Sequence, residues 1–308
     1  MIYIIIAVHN RRALTLGCLT CLAQQTLTDQ RVVVVDDGST DGTSEHISAQ
    51  FPDVVVLPGT GSLWWAGATN LGIRYVLDTF SPGADDFILT LNDDTKIQPD
   101  YLASLLTAYR VNAPCLVGSV SVDVNAPQRL LYAGTHLNLR FPNIENWADT
   151  RFNNSYALLT KTGSYFVSES LPGRGMLIPL PVFNVIGLFD ESHFQHHMAD
   201  LDFSVSARKA GFQLVISAAS VVHEYTDATG INVMRPMSLN QFWQALSATR
   251  SPINWKTRYH FALKQAPYTY LYFGLDMLRI IGGYALRQIR GHLYALCNSS
   301  SFAKKMSP

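Results

Sequence analysis

The sequence is short of charge. Of its 308 residues only 15% are Asp, Glu, Lys or Arg, and 23 acids balance 23 bases. A chain without net charge offers no electrostatic reason to bind nucleic acid, where neutralised phosphates supply most of the affinity. Cysteine is scarce too. Four are present, and Cys18 and Cys21 have no second pair with which to complete a four-ligand zinc site. Their neighbours Leu16, Leu19 and Leu22 place these thiols on an apolar helix, and a reducing compartment suits them. There is no internal repeat and no low-complexity tract.

Unbroken apolar stretches of membrane-spanning length are also missing. Residues 54–73 are uncharged and numerous enough, but Pro58, Gly59, Gly61, Gly67, Asn70 and Gly72 interrupt them. The opening MIYIIIAVHN lacks the positive region and cleavage site of a signal peptide and reads as a buried strand. No transmembrane segment is expected. What remains is 48% hydrophobic residues, enough for one large α/β core.

The first half alternates strands and helices. Apolar runs at 2–8, 31–35, 54–57 and 87–91 read as strands, and helices are expected near 12–27, 43–50, 66–77 and 100–110. Asn10 is a candidate cap for the first helix. Continuous apolar strands separated by helices imply a mostly parallel sheet covered on both faces, with ligands beyond the carboxyl ends of its strands. The polar residues obey this: His9-Asn10, Asp36-Asp37 and Asn92-Asp93-Asp94 each end a strand. Residues 115–180 are less regular. A helix is expected at 198–210, closed by Gly211, and a strand at 213–222 ends in His223-Glu224. Beyond about residue 234 the alternation stops and the chain becomes helical in character. Two domains follow, a catalytic one at 1–234 and a helical, basic-aromatic extension at 235–308.

Several residues could carry chemistry. Asp93 and Asp94 repel one another beside a buried strand, and a divalent cation would offset that, although Asp is also common in turns. Asp36-Asp37-Gly38 offers a carboxylate to a base or ribose, or is a turn with Gly38 at positive φ. Asp200 and Asp202 open a helix, where acids favour the dipole, yet a carboxylate aimed into a cleft can act as a general base. His223 at a strand end is by itself more easily a structural residue than a ligand. His193, His196 and His197 have helical metal spacing, but Phe194 and Met198 read as packing. Of Trp64 and Trp65, one can be core and the other can stack on a sugar face.

Together these pieces have a recognisable order. The chain resembles the inverting family-2 glycosyltransferases of the GT-A fold, in particular bacterial rhamnosyltransferase-like members. The matching motifs run from Ile4 to Arg11, from Val34 to Asp41 and from Gly61 to Gly72. They continue with Leu91-Asn92-Asp93-Asp94-Thr95, Gly187-Leu188-Phe189-Asp190-Glu191 and Ala199-Asp200-Leu201-Asp202-Phe203. The resemblance implies that Ala7, His9, Asp37 and Asp93 contact the nucleotide. It implies that Asp94, His223 and Asp93 hold Mg2+ or Mn2+, that Asp200 is the catalytic base, and that Trp64, Trp65 and Asn70 meet the donor or acceptor sugar. It departs from the family in two places. His9 stands where Tyr or Phe is usual, and Ala199 replaces the Glu that commonly precedes the base.

The donor implied is a nucleoside-diphosphate sugar, dTDP-L-rhamnose first and a galactofuranosyl or other hexosyl donor second. The acceptor is a hydroxyl of a saccharide or lipid-linked glycan in bacterial surface polysaccharide synthesis, such as O-antigen. A nucleotidyltransferase would need a glycine-rich basic loop after the first strand, where Val8-His9-Asn10-Arg11-Arg12-Ala13 has no glycine. An inactive sugar-binding scaffold is the non-enzymatic alternative that Ala199 allows.

The charge is unevenly spread. Residues 251–308 hold eight Lys or Arg against the single acid Asp276, an excess that the first 250 residues offset. With Trp255, Tyr259, Tyr268, Tyr270, Leu278 and Ile281 interleaved, this segment suits either a peripheral contact with an anionic membrane or a subunit interface. The location expected is cytoplasmic, at the inner face of the cytoplasmic membrane.

Overall fold

The computed structural model describes residues 1–225 and 237–304, with side chains as far as residue 290. The chain divides into two compact units, and of the described residues the first takes 1–137 and 143–225 and the second 138–142 and 237–304. The domain boundary expected at 234/235 lies outside the described residues.

In the first unit the strands are β1 (Ile2–Val8), β2 (Gln30–Asp36), β3 (Val55–Pro58), β4 (Phe87–Asn92), β5 (Thr95–Ile97), β6 (Cys115–Asp123), β7 (Ala126–Tyr132), β8 (Thr135–Asn138), β9 (Asn143–Asn146), β10 (Tyr165–Val167), β11 (Met176–Pro179) and β12 (Gln213–Glu224). The helices are α1 (Arg12–Ala23), α2 (Thr43–Gln50), α3 (Trp64–Phe80), α4 (Tyr101–Asn112), α5 (Trp147–Thr150), α6 (Tyr156–Thr162), α7 (Leu180–Ile186) and α8 (Ala199–Lys209). The main sheet has the order β10-β12-β6-β11-β4-β1-β2-β3, with β5 on β12 and β7 on β6; β8 and β9 form a separate ribbon.

β1 is central because it is apolar on both faces: Ile2, Tyr3, Ile4, Ile5, Ile6 and Val8 are all buried. It runs parallel to β2 and β4, with Val8 opposite Asp36 and Ala7 opposite Asn92. Three strands therefore end level, and His9, Asp37 and Asp93 emerge on one rim. The sheet is mixed rather than parallel throughout. β11 inserts antiparallel between β4 and β6, and β12 returns parallel to β6.

Two local expectations differ from what is observed. α1 ends at Ala23, not near 27, because tertiary hydrogen bonds take over the chain that follows. Gln25 donates to the carbonyls of Cys21 and Gln98 and accepts from the N–H of Leu102, and Thr26 donates to Pro99. Asn10 does not cap α1. Its Oδ1 accepts from the N–H of Thr40 at 2.7 Å, so it ties the β1 loop to the β2 loop.

In the second unit α9 (Leu239–Ser247), α10 (Trp255–Gln265) and α11 (Thr269–Lys304) form a helical assembly. Ser238 and Gln241 make a capping box on α9, and Asn254 caps α10. Phe242 and Tyr284 stack at 4.1 Å. Asp276 is buried on α11 and accepts from Arg258 at 2.6 Å and from Arg279 at 2.7 Å. The side of α11 carrying Tyr270, Leu271, Leu278, Ile281 and Ile289 is exposed. Among the described residues no helix is long and apolar enough to cross a membrane.

Close approach of α3 to the sheet requires Gly72, where an added Cβ would meet Ile5 Cγ2 at 2.6 Å and Val35 Cγ2 at 3.2 Å. Both partners are packed core residues with no room to retreat. Gly72→Ala is expected to lower unfolding free energy by about 1–3 kcal/mol, measured by urea denaturation.

Candidate active site

The site begins where β1, β2 and β4 end. Asp36 anchors its own turn, accepting from the N–H of Ser39 at 2.8 Å and from the hydroxyl of Ser44. Asp37 is buried and reaches across to the loop before α3, accepting from the N–H of Gly61 at 2.7 Å and of Trp64 at 3.0 Å. Gly59 and Gly38 make room for this crossing, since a Cβ on Gly59 would lie 2.7 Å from Asp37 Oδ1 and one on Gly38 2.9 Å from Gly61 Cα. His9 is exposed. Its Nδ1 lies 2.7 Å from the carbonyl of Asp37, and the amide nitrogen of Asn10 faces its Nε2 at 3.0 Å. Because Asn10 Oδ1 is fixed by Thr40, the ring must accept at Nε2 and donate from Nδ1. Ala7, half-buried in β1, adds backbone to the same rim.

Asp93 and Asp94 follow β4, and both are buried. One guanidinium serves both: Arg11 Nη1 donates to Asp94 Oδ2 at 2.8 Å and to Asp93 Oδ1 at 3.2 Å. Burial pushes the Asp93 carboxyl up to about 7; Arg11 opposes this and Asp94 adds to it. Burial pulls the Arg11 guanidinium down, but the two carboxylates outweigh it and the net shift is upward. Beneath the turn, Cys18 donates to the carbonyl of Asn92 at 3.6 Å, and burial raises its thiol to about 12. The Cys18–Cys21 pair is thus packing under the acidic turn, with Cys18 held as an inert thiol.

β12 brings His223 to this region, opposite Lys96, with Glu224 opposite Thr95, the residue after Asp94. Burial, then the nearby Lys96, lowers the His223 pKa, so the imidazole is neutral near pH 7, the form that ligates cations. The donors fit a hard divalent ion: two buried carboxylates share a single positive charge, and a neutral imidazole stands on the adjoining strand. Among the described residues, however, no three His, Cys, Asp or Glu side chains are close enough together to hold a metal. His193, His196 and His197 are not gathered for one. His193 pairs with Asp190, and His196 packs edge-on against Trp64 and His197.

Asp200 stands in the first turn of α8, half-buried. Its Oδ2 accepts from the N–H of Gly173 at 2.8 Å and its Oδ1 from the N–H of Leu201 at 2.8 Å, so two backbone donors orient the carboxylate. Gly173 is in turn fixed to β4, its carbonyl accepting from Thr90 Oγ1 at 2.6 Å. The Trp65 ring lies where a side chain on Gly173 would be, 2.3 Å from an added Cβ, and meets Phe189 edge-on at 5.2 Å. Trp65 therefore borders Asp200 through Gly173, while Trp64 begins α3 at positive φ.

Asn70, expected at the sugar, is buried, and its amide makes a reciprocal pair with Phe189, donating to the carbonyl at 2.8 Å and accepting from the N–H at 3.1 Å. With Ala66 N–H donating to Gln195 and Arg74 paired to Glu191 at 2.6 Å, it binds α3 to the segment leading into α8. It is a positioning residue. Two arginines carry no local signal of a role. Arg11 is one letter of a motif, and Arg174 lies in the irregular region between Gly173 and Gly175. Arg174 pairs with Glu224, and it and Asp200 both lie within electrostatic reach of the buried Tyr132 phenol.

A model of the glycosyl transferase family 2 matches residues 3–162, just over half of the chain and every loop of the rim from His9 to Asp94. The chain belongs to glycosyl transferase family 2. This family-2 glycosyltransferase is 28% identical over 226 residues to the N-acetylglucosaminyl-diphospho-decaprenol L-rhamnosyltransferase of Mycobacterium tuberculosis, an alignment covering 68% of this chain and 72% of that one. It is 25% identical to the low-salt glycan biosynthesis hexosyltransferase Agl10 of Haloferax volcanii, over 59% of this chain and 54% of the relative. Among solved structures it is similar to GalNAc-T7 with UDP, GalNAc and Mn2+ (TM-score 0.57, 15% identity), covering 73% of this chain and 44% of that one. It is also similar to S. aureus TarS in complex with UDP-GlcNAc (TM-score 0.55, 16% identity), covering 85% of this chain and 66% of that one. These likenesses establish the GT-A-like α/β fold with a C-terminal helical region.

The acidic pair has a pH signature. The folded-state value of Asp93 lies above that of an unfolded aspartate, so ionisation opposes folding. The penalty is absent below about pH 4, grows as pH rises, and is complete above about pH 7. Asp93→Asn removes it. The variant is expected to be more stable than the parent at pH 8 by roughly 2–4 kcal/mol and close to it at pH 4.5, read from denaturation at both pH values.

Proposed function

We propose that the protein transfers a sugar, dTDP-L-rhamnose being the preferred donor, to a hydroxyl of a saccharide or lipid-linked glycan, with inversion, in bacterial surface polysaccharide synthesis. The observation that carries the reading is the Asp200 carboxylate, half-buried at the start of α8 and aimed by the N–H groups of Gly173 and Leu201. The name of the mycobacterial relative, an L-rhamnosyltransferase of N-acetylglucosaminyl-diphospho-decaprenol, supports rhamnosyl as the group moved and a lipid-linked glycan as the acceptor class.

The steps follow from these residues. Asp37, His9 and Ala7 receive the nucleoside at the ends of β1 and β2. Trp64 and Trp65 offer flat apolar faces to sugar and shed water from the reacting centre. Asp200 takes the proton of the acceptor hydroxyl as its oxygen attacks the anomeric carbon from the side opposite the diphosphate, and the configuration inverts in one displacement. Asp93, Asp94 and His223 would hold Mg2+ or Mn2+, which supplies charge neutralisation to the departing diphosphate. Gly173 keeps the base in register with β4.

The test is a panel of nucleoside-diphosphate sugars with Mg2+ or Mn2+, scored by release of nucleoside diphosphate. Turnover is expected to be highest with dTDP-L-rhamnose, and Asp200→Asn is expected to reduce kcat by about 10²–10⁴-fold. Unchanged turnover in that variant would remove Asp200 from the chemistry.

The second unit supports attachment to a membrane surface. The exposed side of α11 is apolar, and Arg279, Arg287 and Arg290 belong to the same helix. Such a surface binds the headgroup region of anionic lipids through apolar burial and charge together. Leu278 and Ile281 are exposed, so Leu278→Glu with Ile281→Glu leaves the packing intact. Partition onto anionic liposomes in co-sedimentation is expected to fall at least about tenfold, and undiminished binding would reject the attachment.

A further inference from the structure

Arg11 has no assigned part in the reaction, yet it makes the closest contacts to the acidic pair. We propose that Arg11 is a resident cation: its guanidinium fills the divalent ion's place on Asp93 and Asp94 in the free protein, and is displaced to the donor's diphosphate when ion and nucleotide bind. This rests on the reading of Asp93 and Asp94 as metal ligands.

Three observations carry it. First, a single nitrogen, Nη1, lies 3.2 Å from Asp93 and 2.8 Å from Asp94, bridging the two carboxylates as an ion would. Second, the arginine's backbone is fixed at the start of α1. Its carbonyl accepts from the N–H of Thr15 at 3.0 Å and from the Thr15 hydroxyl at 2.9 Å, so α1 fixes the backbone while the long side chain remains 30% exposed. Third, Arg11 precedes α1, whose first turn holds no acid. A positive charge there faces the positive end of the helix dipole, a placement that anions alone make favourable. The carboxylates supply that anion in the free protein, and a diphosphate can supply it afterwards.

The charges explain why the exchange is ordered. Two carboxylates and one guanidinium leave the cluster one negative charge, a weak lure for a free divalent ion, which must also evict Arg11 without giving it a new partner. Diphosphate arriving with the ion provides that partner. Ion and nucleotide then assist one another's binding, and Arg11 accounts for part of the coupling. A residue that only shaped the acidic pair would act in the opposite direction, since its loss would loosen the ligands and weaken ion binding.

The experiment measures Mn2+ binding to the full chain by the electron paramagnetic resonance of the free ion, with and without dTDP, in the parent, Arg11→Gln and Arg11→Lys. Without dTDP, Arg11→Gln is expected to bind Mn2+ about tenfold more tightly than the parent, with Arg11→Lys between them, and the tightening caused by dTDP is expected to shrink in both. The lysine variant keeps a positive charge beside the buried carboxylates, so it reports even where glutamine impairs folding. Equal or weaker binding in the variants, with binding still abolished by Asp94→Asn, would overturn the displacement and leave the metal reading standing. Mn2+ binding that Asp94→Asn does not affect, even with dTDP, would overturn both.

Discussion

Two adjacent carboxylates, buried at the end of one strand and sharing one guanidinium, are the constraint around which this protein is arranged. Burial raises the cost of each charge and repulsion adds to it, and a single arginine offsets one of the two. Asp93 carries the strain, which is why its carboxyl, and not that of an ordinary surface aspartate, is pushed up to about 7. A protein with no use for such a pair would place a neutral residue there. Retaining it suits the proposed role, in which a cation of higher charge is received there.

The sheet makes that arrangement reachable. Parallel strands β2, β1 and β4 end level, so loops distant in sequence meet with little added structure. One antiparallel strand changes the outcome. β11 runs against β4, and the turn that precedes it carries Gly173 past Thr90 and onto Asp200. The Asp200 carboxylate is thereby referenced to the strand that bears the acidic pair. From the other side α3 holds the approach to α8 through Asn70, Ala66 and Arg74. Preorganisation of this kind matters because displacement at an anomeric carbon tolerates little misplacement of the base.

Much of this was legible in the residues. Strand ends declared themselves because a fully buried strand is apolar throughout and stops abruptly at polar residues, as Val8-His9 and Val35-Asp36 do. The motif order then fixed the family. Three features were hidden, each for a physical reason. Antiparallel β11 has the same apolar composition as a parallel strand, so its direction is invisible without its partners. Asn70 looks like any polar residue in a glycine-rich stretch, and only its reciprocal pairing with Phe189, 119 positions away, reveals a clamp. Arg11 reads as a solvated charge because nothing local marks the two carboxylates, more than 80 residues on, that hold it.

The two units also solve opposite electrostatic problems. The first gathers Asp36, Asp37, Asp93 and Asp94 at the ends of β2 and β4. The second carries the excess of base, and its one acid, Asp276, is buried between Arg258 and Arg279. Truncating Asp276 would leave the largely buried Arg258 guanidinium without its counter-charge, a loss larger than the exposed Arg279 pair alone could cause. That internal pairing offsets charge inside the helical unit. Under the proposed attachment, the basic unit and not the acidic one is the part that meets an anionic surface. Under the proposed function, separating the two charges along the chain lets one protein present a cation-seeking site and an anion-seeking surface without either cancelling the other.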